Sequence, residues 1–349
     1  MAASLRNAHG GPRRLPLSIP PSSSLGLLLR RSPSPHSHGG GGPDPARSMG
    51  TLAYEEIGAS GGPPPASTAL VLHGLLGSSR NWRTFARNLV SELAKHSPSP
   101  SHWRMVLVDL RNHGRSAGIK GLDPPHDMVT AAMDLANLVR SQKWMWPEVV
   151  IGHSMGGKVA LEFAESCARG DYGEFAILAK QLWVLDSVPG KVNTQNSDGE
   201  VEKVLQTLHS LPSLLPSRRW VVDHMLELGF SKPLSEWIVS NLKKEGEHVT
   251  WAFDLPGAIE MFNSYRENSY WPLLEHPPTG LAIEIVRAEN SDRWSSHVVQ
   301  RLESLTHEQQ GSDEGKTSLH VLPNSGHWVH VDNPKGLIEI MVPNFFSDA

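Results

Sequence analysis

Six short apolar runs, set apart by amphipathic stretches, constrain this chain more than anything else in it. "TALVLHG", "RMVLVDL", "PEVVIGH", "QLWVLDS", "LAIEIVR" and "SLHVLPN" are rich in Val, Leu and Ile and end in turn residues. That is how strands of a parallel sheet read when both of their faces are covered. Between them, "NWRTFARNLVSELAKH", "DMVTAAMDLANLVRSQ" and "GKVALEFAESCAR" carry apolar residues at helical spacing. Strands alternating with crossover helices from about Leu52 predict an α/β fold, with a mostly parallel central sheet flanked by helices. At 349 residues and 39% hydrophobic, the chain is long enough to bury a substantial core.

The rhythm breaks between Lys191 and Pro278, where no convincing strand is read. "EVEKVLQTLHSL", "RRWVVDHMLELG", "PLSEWIVSNLKKE" and "AIEMFNSYRE" are helix-like segments punctuated by Pro and Gly. An inserted helical cap over 191–278 is therefore expected, dividing the α/β core into 50–190 and 279–349. "KKEGEH" reads as a solvated helix end. Trp220, Trp237, Trp251, Phe253, Met261 and Phe262 either pack as core or line a substrate cavity.

Residues 1–49 differ in kind. They are rich in Ser, Pro, Gly and Arg, and their one acidic residue is Asp44. Such a stretch cannot bury enough apolar surface to offset the entropy of ordering it. Arg- and Ser-rich, acid-poor composition predicts a disordered organelle transit peptide. The "MAAS" start and the lack of a clear amphipathic helix favour the chloroplast slightly over the mitochondrion. No stretch approaches the roughly 20 apolar residues that span a bilayer, so no transmembrane segment is expected. The formal net charge of -4, scattered along the chain, points away from nucleic acid and towards small molecules. The single cysteine, Cys167, cannot form an internal disulfide and reads as a small buried apolar residue.

"VVIGHSMGGKVALEFAE" (149–165) joins an apolar run to a helix through Gly152, His153, Ser154, Met155 and Gly156. Strand, G-x-S-x-G, helix lifts a serine oxygen above the sheet at a turn too tight for side chains on the flanking glycines, making Ser154 the candidate nucleophile. A serine needs a general base, and in this topology it follows the last strand; "SLHVLPNSGHWVH" supplies His327 there. His330, close by, is read as packing. A developing oxyanion needs donors. "VLHGLLGSS" places the Leu75 N–H after the early strand, the Met155 N–H is the second donor, and the His73 side chain props the loop. The histidines do not cluster at metal-ligand spacing with cysteines or carboxylates, so no metal site is expected.

These motifs, with "DLRNHGRS" and "GHWVHVDNP", resemble the α/β-hydrolase superfamily from about residue 51 to the C-terminus. "HGLLGSSRNW", "VDLRNHGRS", "GHSMGGKVA" and "VLDSVPG" are similar to the esterase-like group of abhydrolase domain-containing protein 11 and related bacterial esterases. The resemblance implies ester or thioester hydrolysis without a cofactor beneath a helical cap, and makes "DLRNHGRS" a structural turn, leaving Asp109, Arg111 and His113 outside any triad. In many members the acid follows the penultimate strand, but "IVRAENSDRW" has Ser291 at that place and Asp292 one residue on. Asp186, ending the strand of "WVLDSVPG", is the preferred acid; Asp292 and Glu289 are the alternatives. The expected function is a serine esterase acting on a small carboxylic ester or acyl lipid. Alternatives are a thioesterase or lactonase of the same fold, or a non-catalytic ligand receptor or scaffold.

Overall fold

The computed structural model describes residues 50–58, 67–96, 102–192, 199–308 and 315–346. Residues 1–49, and with them the expected transit peptide and its organelle, lie outside the described residues. The first half runs β1 (Tyr54–Gly58), β2 (Ser67–Leu72), α1 (Arg83–His96), β3 (Trp103–Val108), α2 (Met128–Ser141), β4 (Val149–His153), α3 (Met155–Ala168) and β5 (Gln181–Leu185). There follow α4 (Gly199–Ser210), α5 (Arg218–Glu227), α6 (Lys232–Val239), β6 (Leu242–Glu245), β7 (His248–Trp251), α7 (Leu255–Glu267) and α8 (Trp271–Glu275). The chain then returns through β8 (Ala282–Ala288), α9 (Ser296–Glu308), β9 (Lys316–Leu322), α10 (Val329–Asp332) and α11 (Pro334–Asn344).

Seven strands form one sheet in the order β1-β3-β2-β4-β5-β8-β9. All neighbours are parallel except β1, which pairs antiparallel with β3 at the edge. Alternation along the strands splits the core between the two faces. Leu70, Leu72, Val150, Leu182, Val184, Ile283 and Ile285 pack with α2, α3 and α9. Ala69, Val71, Val149, Ile151, Trp183, Leu185 and Val286 pack with α1 and α11. The six strands read from the sequence are all present. β1 was not read, because "YEEIG" buries only Ile57 and lacks an apolar run.

The second difference lies between β5 and β8. "KKEGEH" is not a helix end. β6 and β7 form an antiparallel hairpin, Leu242 opposite Trp251 and Glu245 opposite His248. Gly246 takes φ 58°, the left-handed backbone that a two-residue loop requires of its first residue. Three of the four β6 residues are exposed, which is why the segment looked merely solvated. Its anchors are Leu242, buried, and Val249, paired with Leu215.

The chain turns sharply from β4 into α3. A Cβ on Gly152 would lie 2.1 Å from the Gly156 carbonyl oxygen, and one on Gly156 would lie 2.6 Å from that of His73. Both distances are too short for any side chain. Gly152→Ala is expected to cost about 3 kcal/mol in chemical denaturation, against less than about 0.5 kcal/mol for Gly118→Ala, whose Cβ meets nothing within 4 Å. Equal losses at the two sites would show that the close approach at the turn is not what the glycine serves.

Candidate active site

Ser154 stands in that turn with φ 53° and ψ -120°, a strained backbone for a residue with a side chain. The sheet holds it there. Its N–H donates to the Leu185 carbonyl at 2.9 Å, and its own carbonyl accepts from the Gly157 N–H at 2.8 Å. Met155 opens α3, so its N–H is one of the helix-terminal donors without an intrahelical acceptor.

Asp186 follows β5 directly and has no exposed surface. Its carboxylate accepts four hydrogen bonds. Oδ1 takes the Ala288 N–H at 3.0 Å and the Trp294 Nε1–H at 2.6 Å; Oδ2 takes the Ser291 hydroxyl and His327 Nδ1–H, each at 2.7 Å. Burial pushes this carboxyl upward, but the His327 hydrogen bond and charge, with Trp294 and Ala288, outweigh it and hold the group below its ordinary value. Burial and the Arg293 guanidinium push the His327 imidazole below its ordinary value, against the opposing pull of Asp186. His327 also carries a bond from the other side: its carbonyl accepts from His153 Nε2–H at 2.7 Å. The residue before Ser154 is thus tied to the loop that carries His327.

The loop after β2 is fixed by side chains as well. His73 Nε2 accepts the Leu110 N–H at 3.0 Å, so its proton sits on Nδ1 and is donated to the Gly74 carbonyl at 2.8 Å. The Gly77 N–H reaches the same carbonyl at 3.0 Å. In a trans peptide the N–H points opposite to the C=O, so pinning the Gly74 oxygen fixes the direction of the Leu75 N–H. "DLRNHGRS" braces this region. Asp109 accepts from the Ser79 N–H at 2.7 Å and from Arg115 Nε at 2.9 Å, while Arg111 forks onto the Asp134 carboxylate at 2.7 and 3.2 Å. His113 is buried, and burial pulls its imidazole down to about 3.

Ser154, His327, Leu75 and Met155 line one cavity of about 460 Å³ at the carboxyl edge of the sheet, where the connections leaving the neighbouring strands β2 and β4 run in opposite directions, to β3 and to β5. Open α/β sheets place their ligands in that crevice. The alpha/beta hydrolase family matches residues 69–340. This chain belongs to it.

Among the relatives of this alpha/beta hydrolase is the "sn-1-specific diacylglycerol lipase ABHD11" of Danio rerio, 25% identical, the match covering 79% of this chain and 78% of that one. "Esterase YbfF" of Escherichia coli is 23% identical over 77% of this chain and 90% of its own. A solved "Marine microorganism esterase" superposes with a TM-score of 0.65 at 23% identity, covering 84% of this chain and 99% of the esterase. The resemblance read from the motifs thus holds, and the chain stands among carboxylic ester hydrolases.

Within this hydrolase the sequence candidates fall in different places. Asp186 touches His327; Asp292 is exposed on the cavity rim, and Glu289 instead accepts the Asn324 N–H at 2.8 Å. His330 stacks on Trp82 at 4.0 Å and also borders the cavity. Of the six aromatic and Met candidates, Trp237 and Phe262 line the cavity. Trp251 and Phe253 stack on each other, Met261 is core, and Trp220 lies on His224 at the surface. Cys167 is buried. Missed by the sequence reading were the supports His153, Ser291 and Trp294. The one available signal was that donor side chains, Ser291, Arg293 and Trp294, flank Asp292 in "NSDRW". No helix among the described residues is long and apolar enough to cross a membrane.

A carboxyl whose folded pKa is depressed stabilises the fold above its unfolded value of about 3.9, and that contribution is lost as pH falls through the folded value. Ser291→Ala removes one of the four donors to Asp186. It is expected to cost about 1–3 kcal/mol near pH 7, with the gap from the unaltered protein closing on acidification through the folded pKa. Urea titrations across that pH range measure it; a gap independent of pH would show that the hydroxyl does not act through the carboxylate.

Proposed function

We propose that this chain is a serine hydrolase that cleaves a carboxylic ester or acyl lipid through an acyl-enzyme, with Ser154, His327 and Asp186 as the catalytic residues. The observation that carries the reading is the 2.7 Å bond from His327 Nδ1 to the buried Asp186 carboxylate, at a cavity that Ser154 also lines. With Nδ1–H held there, Nε2 keeps the lone pair that takes the serine proton. Ser154 Oγ attacks the ester carbon, and the carbonyl oxygen becomes an oxyanion that the Leu75 and Met155 N–H groups receive. As the tetrahedral intermediate collapses, the proton on Nε2 passes to the departing alcohol, leaving the acyl group on Ser154. A water, deprotonated by His327, then attacks the acyl carbon, and the serine recovers its proton as the acid leaves.

The name of the Danio rerio relative supports an acylglycerol among the candidate substrates. Screening acyl esters and thioesters of graded chain length separates ester, lipid and thioester preference. A fluorophosphonate probe should label Ser154, and failure to label it would favour a non-catalytic receptor.

Ser154→Ala is expected to abolish turnover with the fold retained by circular dichroism, whereas full turnover would remove the assignment. Asp186→Asn should lose up to about 10⁴-fold in kcat by fixing the wrong tautomer, and Asp292→Asn far less. The reverse pattern would transfer the acid to Asp292.

The base must be neutral to accept the serine proton, so activity falls as His327 protonates. Since its pKa is depressed, the acid limb of kcat/KM is expected below about 6.5. Arg293→Gln removes a charge that depresses it and should move that limb to higher pH. An unmoved limb would show that the guanidinium does not tune the base.

A further inference from the structure

One residue of "GHSMGGKVA" has no part in this chemistry. Lys158 lies one helical turn beyond Ser154 on α3 and is fully buried. Its ammonium donates to three main-chain carbonyls: Gly190 at 2.7 Å, Tyr265 at 2.6 Å and Asn268 at 2.8 Å. It also lies 4.5 Å from the centre of the Tyr265 ring. Those carbonyls belong to two separate stretches. Gly190 is where the chain leaves β5 for α4, and Tyr265 and Asn268 are where it comes back, at the end of α7.

The two stretches are also bonded to each other, Val192 N–H to the Arg266 carbonyl and Tyr270 N–H to that of Pro189, both at 2.9 Å. One turn further along α3, Glu162 accepts the Tyr270 hydroxyl at 2.9 Å. Residues 158 and 162 are spaced by four and so share one face of α3, the helix that Ser154 immediately precedes. A single face of the helix that follows Ser154 therefore holds both roots of the inserted segment.

The chemistry of the partners explains a lysine here. The last carbonyls of a helix lack intrahelical donors, and the negative end of its dipole favours a cation. In α7, Ser264 O accepts from Asn268, Arg266 O from Val192, and Tyr265 O from Lys158. An ammonium offers three donors, and three carbonyls receive them. An apolar side chain of the same length would fill the space and leave those oxygens without this donor.

We propose that Lys158 is a positioning residue whose ammonium clamps both roots of the segment between β5 and β8 onto the helix that begins at Ser154. That segment supplies the apolar wall of the cavity: Val201 and Val204 from α4, Leu234 and Trp237 from α6, Phe262 from α7. Clamping its roots sets the distance between this wall and the nucleophile. The consequence for substrates rests on the serine-hydrolase reading; the clamp itself does not. An acyl chain long enough to lie on the wall depends on Lys158, and an acetyl group much less.

Lys158→Met keeps the length and removes the donors. The ratio of kcat/KM for an octanoyl ester to that for an acetyl ester should fall about tenfold or more, mainly through KM, with fluorophosphonate labelling of Ser154 retained. Equal losses on the two esters, or no loss, would overturn the proposal. Hydrogen exchange tests the clamp without substrate: the Val192 and Tyr270 amides should exchange about tenfold faster in the variant, with the β4 and β5 amides unchanged. Unchanged exchange at the roots would overturn it even if esters are cleaved. If the unaltered chain cleaves no ester, the serine-hydrolase reading fails and the exchange result still decides the clamp. Should Lys158→Met not fold, the unaltered protein decides: nitrogen-15 spectra should show a slowly exchanging lysine ammonium with cross-peaks to the Tyr265 ring, and its absence would overturn the clamp.

Discussion

A carboxylate with no exposed surface, Asp186, ties together the segments that surround the cavity, and four hydrogen-bond donors converge on it. Removing such a group from solvent costs several kcal/mol unless it is hydrogen-bonded. For Asp186 the compensation comes from the end of β8, from the turn that follows it and from the loop after β9. Three chain segments are thereby brought to one point, and the imidazole of His327 receives its tautomer from that arrangement. Ser291, beside the alternative carboxylate Asp292 in the sequence, donates to the Asp186 carboxylate, so the turn after β8 serves that group with a hydroxyl.

Strain accompanies this convergence. Leu76, Ser154 and Asp186 all carry positive φ, at 55°, 53° and 42°, in the turns that follow β2, β4 and β5. Each such residue costs about 1–3 kcal/mol and persists only where its surroundings over-determine it. The surroundings here are the sheet ladder itself: Ser154 N–H reaches the Leu185 carbonyl, and Asp186 N–H reaches that of Val286. Abrupt turns directly off the strand ends lift functional groups above the sheet without intervening flexible chain.

Much of this was readable in the sequence where a local pattern has a local cause. A strand buried on both faces must be apolar throughout, and an elbow needs small residues, so the six strands and Ser154 were visible. His327 followed from its place after the last strand. The surroundings of Asp186 were of another kind, because the donors to its carboxylate lie 102 to 141 residues away along the chain. Only folding brings them together. β1 and the β6–β7 hairpin escaped notice because exposed strands need no apolar run. His153 and Lys158 were hidden inside a motif already explained by its serine, although each makes contacts that the motif does not imply.

The hydrogen bond from Ser154 to β5 has a mechanical meaning. Ser154 and Asp186 are continuations of adjacent parallel strands, with His153 opposite Leu185 in the register that immediately precedes them. A slip of one residue between these strands would turn side chains to the opposite face and separate the two groups at once. The relative placement of Ser154 and Asp186 is therefore a property of the central sheet, and it persists on heating for as long as the pairing of β4 with β5 does.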